Sequence, residues 1–108
     1  MRIVPMHTNT TAPGLGNAIE PKGNTVGLQF ALGGSGSVTG EVQVVGRIIP
    51  DAPVENIGIP ISISGTASAT APVVSSVTLT DLSAAQVWAN LTNVSATSFR
   101  CYGSDLNL

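Results

Sequence analysis

The stretch Thr25-Val26-Gly27-Leu28-Gln29-Phe30-Ala31-Leu32 places Val26, Leu28, Phe30 and Leu32 on one parity and Thr25, Gly27, Gln29 and Ala31 on the other. Period-two alternation of this kind marks a strand with one buried face. Gly33-Gly34-Ser35-Gly36-Ser37 follows it and reads as a hairpin loop. The alternation resumes over 38–49, with Val38, Val42, Val44 and Ile48 on the inward side and Thr39, Glu41, Gln43 and Arg47 on the outward side. Gly40 and Gly46 share the inward parity, where glycine signals a bulge or a close backbone approach.

Further along, Ile57, Ile59, Ile61 and Ile63 form the cleanest alternation in the chain. Pro60 within it cannot donate to a ladder, which favours an edge strand or a bulge. Residues 65–72 read as a polar loop, and 73–80 as a further strand with Val77 and Leu79 inward. Asp81 is placed to cap a single helical turn over 81–85. Val87–Val94 and Ser98–Tyr102 read as a closing hairpin, with Phe99 and Cys101 on one face. About six to eight short strands separated by turn signals predict an all-β fold, a jelly-roll-like or Greek-key antiparallel β-sandwich.

Residues 1–24 carry Pro5, Pro13, Pro21, Gly14, Gly16 and Gly23 and sustain neither period. They read as an extended N-terminal arm, with at most one short strand near Arg2–Met6, followed by a sandwich domain over 25–108. An arm lying along a neighbouring subunit would use Ile3, Val4, Met6 and Leu15 as anchors.

The 108 residues suffice for one domain with a real core. Charged residues make up 9% of the chain, against about 25% in ordinary soluble domains. Gly, Ser and Thr supply 34 residues and take over the surface that Lys and Glu usually cover. A surface so weakly charged protects poorly against association, which suits a protein that lives in an assembly. The net charge is −2, and Arg2, Lys22, Arg47 and Arg100 are dispersed. No basic cluster is present to neutralise phosphates, which argues against nucleic acid and anionic membranes as partners. The N-terminus has no signal-peptide-like apolar segment, and no run approaches the roughly 20 apolar residues of a membrane span.

Catalytic chemistry finds little to work with. His7 is the only histidine and Cys101 the only cysteine, at opposite ends of the chain. A nucleophile–base pair needs the base held rigidly, and a zinc site needs four converging ligands. The six acids are scattered, and the Gly-rich stretch matches no phosphate loop. No catalytic residue, metal or cofactor is expected. The three Asn-x-Ser/Thr matches at Asn9, Asn90 and Asn93 are read as chance in a chain this rich in Ser and Thr. Of the four aromatics, Phe30 and Phe99 fit core parity, while Trp88 and Tyr102 alternate against it. Those two are candidates for a subunit interface or a sugar platform.

Three segments carry a likeness: Val42-Gln43-Val44-Val45-Gly46-Arg47, the stretch 82–95 (LSAAQVWANLTNVS), and Ser98-Phe99-Arg100-Cys101-Tyr102-Gly103. Their order resembles small virion proteins of tailed bacteriophages, over about residues 25–103. Members of that group often carry G-S-N-D-G-x-x-W after the early strand, where this chain has Gly46-Arg47-Ile48-Ile49-Pro50-Asp51. The resemblance implies a non-catalytic capsid decoration or cement protein, made in the host cytoplasm. It would bind the major capsid protein at the capsid surface as a homo-oligomer, a trimer or a dimer. The interface candidates are Ile3, Val4, Met6, Leu15, Trp88 and Tyr102. A carbohydrate-binding module and a tail or fibre-attachment component are the alternatives.

Overall fold

The computed structural model describes residues 3–58 and 60–105, and these form two antiparallel sheets with no helix. The first sheet has the order β1 (Ile3–Thr10), β8 (Ser98–Asp105), β2 (Val26–Gly33), β6 (Val73–Leu79). The second is built on β3 (Gly36–Arg47), with β7 (Gln86–Ser95), β5 (Ile61–Ala67) and the short β4 (Glu55–Asn56) as partners. Val42 pairs with both Ile61 and Leu91, and Val45 with both Asn56 and Trp88. A strand has only two edges, so β4 and β5 share one edge of β3 and β7 takes the other.

The free edge of β7 is covered by residues 14–19, here called the strap. Gly14 and Leu91 exchange backbone hydrogen bonds of 3.0 and 2.9 Å, and Ile19 and Val87 exchange bonds of 2.8 and 2.9 Å. With the strap counted as the second element and β4–β5 as one interrupted strand, the chain pairs from its ends inward. The first element (β1) pairs with the last (β8), the strap with β7, β2 with β6, and β3 with β5. A ribbon folded over in that order and wrapped into two four-element sheets is a jelly roll.

The core lies between the sheets. Phe30 and Phe99 are fully buried and stack with centroids 6.1 Å apart, and Val42, Val44, Val87, Ala89 and Leu91 face them from the second sheet. Glycines set the close approaches. A Cβ at Gly103 would lie 2.7 Å from the Met6 sulfur, so the bare backbone of β8 lets Met6 lie over it. Gly40 likewise receives Leu32 from the opposite sheet.

Several sequence expectations give way. The N-terminal segment does not stand apart as an extended arm. β1 pairs with β8, Met6 and Ile19 are buried in the core, and the Lys22 N–H donates to the buried Asp105 carboxylate at 2.9 Å. The short alternating stretches of β1 are interrupted by register shifts at His7, which is why no sustained period is visible. The two expected hairpins, at 33–37 and 95–97, are instead arches that cross from one sheet to the other. They lie side by side, with the Thr97 N–H donating to the Gly33 carbonyl at 2.9 Å. The helical turn at 81–85 is absent. Asp81 takes φ +56, the Leu82 N–H donates to the Asn24 carbonyl and the Ala85 N–H to the Arg47 carbonyl, so these amides serve other segments. Ile48 falls beyond the end of β3 and is exposed, not inward. The isoleucine run is broken between β4 and β5, leaving Ile57 exposed and Ile63 buried. Arg2 and Ile59 lie outside the described residues.

Candidate interaction surface

The six interface candidates do not form one surface. Met6 is fully buried, and Val4 packs against the core. Leu15 is exposed on the strap. Ile3 and Tyr102 are exposed on the outer face of the first sheet, where they line a shallow groove of about 240 Å³. Trp88 lies on the outer face of the second sheet, opposite Val45. Tyr102 and Trp88 thus face away from each other across the sandwich and cannot build a shared sugar platform.

Trp88 is half-buried because Arg47 covers it. The guanidinium carbon lies 5.2 Å from the indole centroid. Arg47 Nε donates to Gln86 Oε1 at 2.7 Å, and one Nη donates to the Ala52 carbonyl at 3.2 Å. The planar guanidinium satisfies three neighbours at once, an arrangement that a lysine cannot reproduce. The result is a pinned loop after β3, whose turn closes with the Ala52 N–H on the Ile49 carbonyl at 3.2 Å and with Asp51 at φ +69.

That loop carries large apolar side chains into solvent. Ile48 and Ile49 are 66% and 67% exposed, and Val54 and Ile57 are exposed beside them. Ile48, Ile49 and Ile57 border, with the segment 80–84, a pocket of about 380 Å³ that Glu55 and Asp81 also line. Its volume is at the low end of small-molecule sites. Its one cation, Arg47, is committed to the contacts just described. The arrangement offers apolar contact area with two acidic residues beside it, which suits docking against another macromolecule. This surface was hidden from sequence parity, which assigned Ile48 and Ile57 to the interior. The sequence signal available was Pro50-Asp51-Ala52-Pro53, which ends β3 before Ile48 can turn inward.

His7 and Cys101 are brought opposite each other by the β1–β8 register, yet they do not form a reactive pair. His7 is buried with its ring edge-to-face on Phe99 at 5.3 Å, and its Nε2 contacts the Ala89 carbonyl at 2.6 Å. A carbonyl only accepts, so Nε2 carries the proton in that contact. Ala89 lies between Val87 and Leu91 on the edge facing the strap. The strap spans five residue steps (14 to 19) against four (87 to 91) on β7 and bulges away there, so the imidazole replaces the missing ladder donor. Burial pushes the Cys101 thiol up from its ordinary 9.0 to about 12, which disfavours the nucleophilic thiolate. Among the described residues no three His, Cys, Asp or Glu side chains cluster to hold a metal.

Comparison of the chain with protein-family models, curated proteins and solved structures gives no match in any of the three.

Proposed function

We propose that the chain is a non-catalytic structural protein of a bacteriophage virion, a decoration or cement protein that binds and stabilises the assembled shell of the major capsid protein. The observation that carries this reading is the pinned, exposed apolar loop at Ile48 and Ile49, on a body with very few charges. Jelly rolls serve viral capsids and lectins alike, so the fold is compatible with the reading and does not choose it. The separation of Trp88 from Tyr102 weighs against the lectin-like alternative. The mechanism is mass action: a protein that binds only the expanded shell stabilises it by its binding free energy. Weak contacts repeated over many subunits gain strength through avidity.

The test mixes purified protein with expanded capsids that lack it and measures co-sedimentation and the capsid melting temperature. The expected result is binding with a raised melting temperature, and loss of both for Ile48→Lys/Ile49→Lys. Absence of binding and of any melting shift overturns the reading.

A further inference from the structure

We propose that the outer edge of β6 is a homotypic docking edge, where a second copy of this chain pairs antiparallel with β6 to join two four-stranded sheets into one of eight strands.

Other sheet edges among the described residues are guarded. β1 contains Pro5 and two register shifts, and Asn17 donates from its backbone to the Met6 carbonyl and from its side chain to the Pro5 carbonyl. β7 is covered by the strap. β4 is two residues long and carries Glu55. β5 follows Pro60, and the Val73 side chain packs against its Gly65. Proline, bulges, charge and short length are the usual devices that keep edges from pairing.

β6 has none of these devices. Val73-Val74-Ser75-Ser76-Val77-Thr78-Leu79 contains no charge, proline or glycine, and it pairs with β2 through seven consecutive residues without a shift. It is the end strand of its sheet. Val74 is 55% exposed. On β2, the neighbours sharing its outer face are Gly27, Gln29 and Ala31, which are also uncharged.

The occupant is a second copy because the strand is complementary to itself. A two-fold axis at Ser76 uses all seven residues. It sets Val73 opposite Leu79 and Ser75 opposite Val77 on the core side, and Val74 opposite Thr78 on the outer side. A slip by one residue would turn the core side of one strand toward the solvent side of the other, so parity protects the register. The symmetry also brings the same patch to both partners, as a two-fold interface requires. Neither copy brings a charge to repel the other. The inference deepens the assembly reading and rests on it for a biological role, but the dimer is measured without capsids, so either can fail alone.

The test is sedimentation equilibrium of the full chain over a range of concentrations. The wild type is expected to rise from 10.9 kDa toward twice that mass. Val74→Lys/Thr78→Lys places Lys against Lys twice across the axis and is expected to stay monomeric. Val74→Lys/Thr78→Glu places Lys against Glu twice and is expected to restore the dimer, which also shows that the bulk of the new side chains is tolerated. A wild type that remains monomeric overturns the proposal. Association unmoved by the double-lysine change overturns it too, as does a Lys/Glu variant that stays monomeric.

Discussion

His7 Nε2 donates to the carbonyl of Ala89 across 2.6 Å and so links β1 of one sheet to β7 of the other. The bond fills a gap that the strap leaves in the ladder. His7→Phe would keep an aromatic ring against Phe99 but leave the carbonyl buried without a donor. It should lower unfolding free energy by about 1–3 kcal/mol in a urea titration. His7→Ala should cost more, because the ring volume is lost as well.

Gly16 sits where the strap bends toward β1. Its φ is +71, and a Cβ there would lie 2.3 Å from the Met6 carbonyl oxygen and 2.6 Å from the His7 ring. Gly16→Ala should therefore destabilise by about 1–3 kcal/mol through backbone strain and displaced neighbours. Hydrogen exchange gives the sharper readout. The Val87 and Leu91 amides, which donate to the strap, should exchange faster, while β2 amides should follow only the global change.

Arg47 shields the single tryptophan. Arg47→Ala should shift Trp88 fluorescence to the red and release the loop that carries Ile48 and Ile49. The lost cation–π contact is worth about 0.5–1 kcal/mol at a partly exposed site. Arg47→Lys should restore the charge over the ring but not the paired hydrogen bonds to Gln86 and Ala52. A Trp88 spectrum unchanged in Arg47→Ala would show that the guanidinium does not cover the ring.

The Cys101 thiol has a folded value near 12 against an ordinary 9.0. Between those values the unfolded chain loses its proton while the folded chain keeps it. The folded state then binds more protons, so stability falls as pH rises. The contribution is complete below about pH 9 and is lost progressively toward pH 12. Unfolding free energy measured against pH should show this alkaline slope, and Cys101→Ala should flatten it relative to the native chain. Native protein should also resist thiol reagents that label the unfolded chain.

Strand positions were largely legible because parity is local. Val26, Leu28, Phe30 and Leu32 point inward as their spacing requires, and Val42, Val44, Phe99 and Cys101 do the same. Strand partners were not legible. Gly33–Ser37 has the composition of a hairpin loop, yet β2 and β3 belong to different sheets, and nothing in the loop residues distinguishes an arch from a hairpin. The strap was invisible because only Gly14 and Ile19 bond regularly to β7, with Gly16 bulging between them. The exposed apolar loop was misassigned for a related reason. Parity holds only as far as Arg47, because Pro50 and Asp51 turn the chain away beyond it. Of the aromatic candidates, Tyr102 lies outward as its parity predicts, while the half-burial of Trp88 depends on an arginine from another strand.

The β1–β8 pairing bears on how the molecule is made. β8 lies between β1 and β2, so Ile3 must wait for Ser104 and Val26 for Asp105. While the ribosome is still adding residues ahead of β8, the first sheet lacks its second strand, and neither β1 nor β2 has that neighbour. Pairing so distant in sequence slows folding and ties it to the completed strand set. Maturation is thereby timed by synthesis, and a truncated product lacking β8 would leave both β1 and β2 without a shared partner strand.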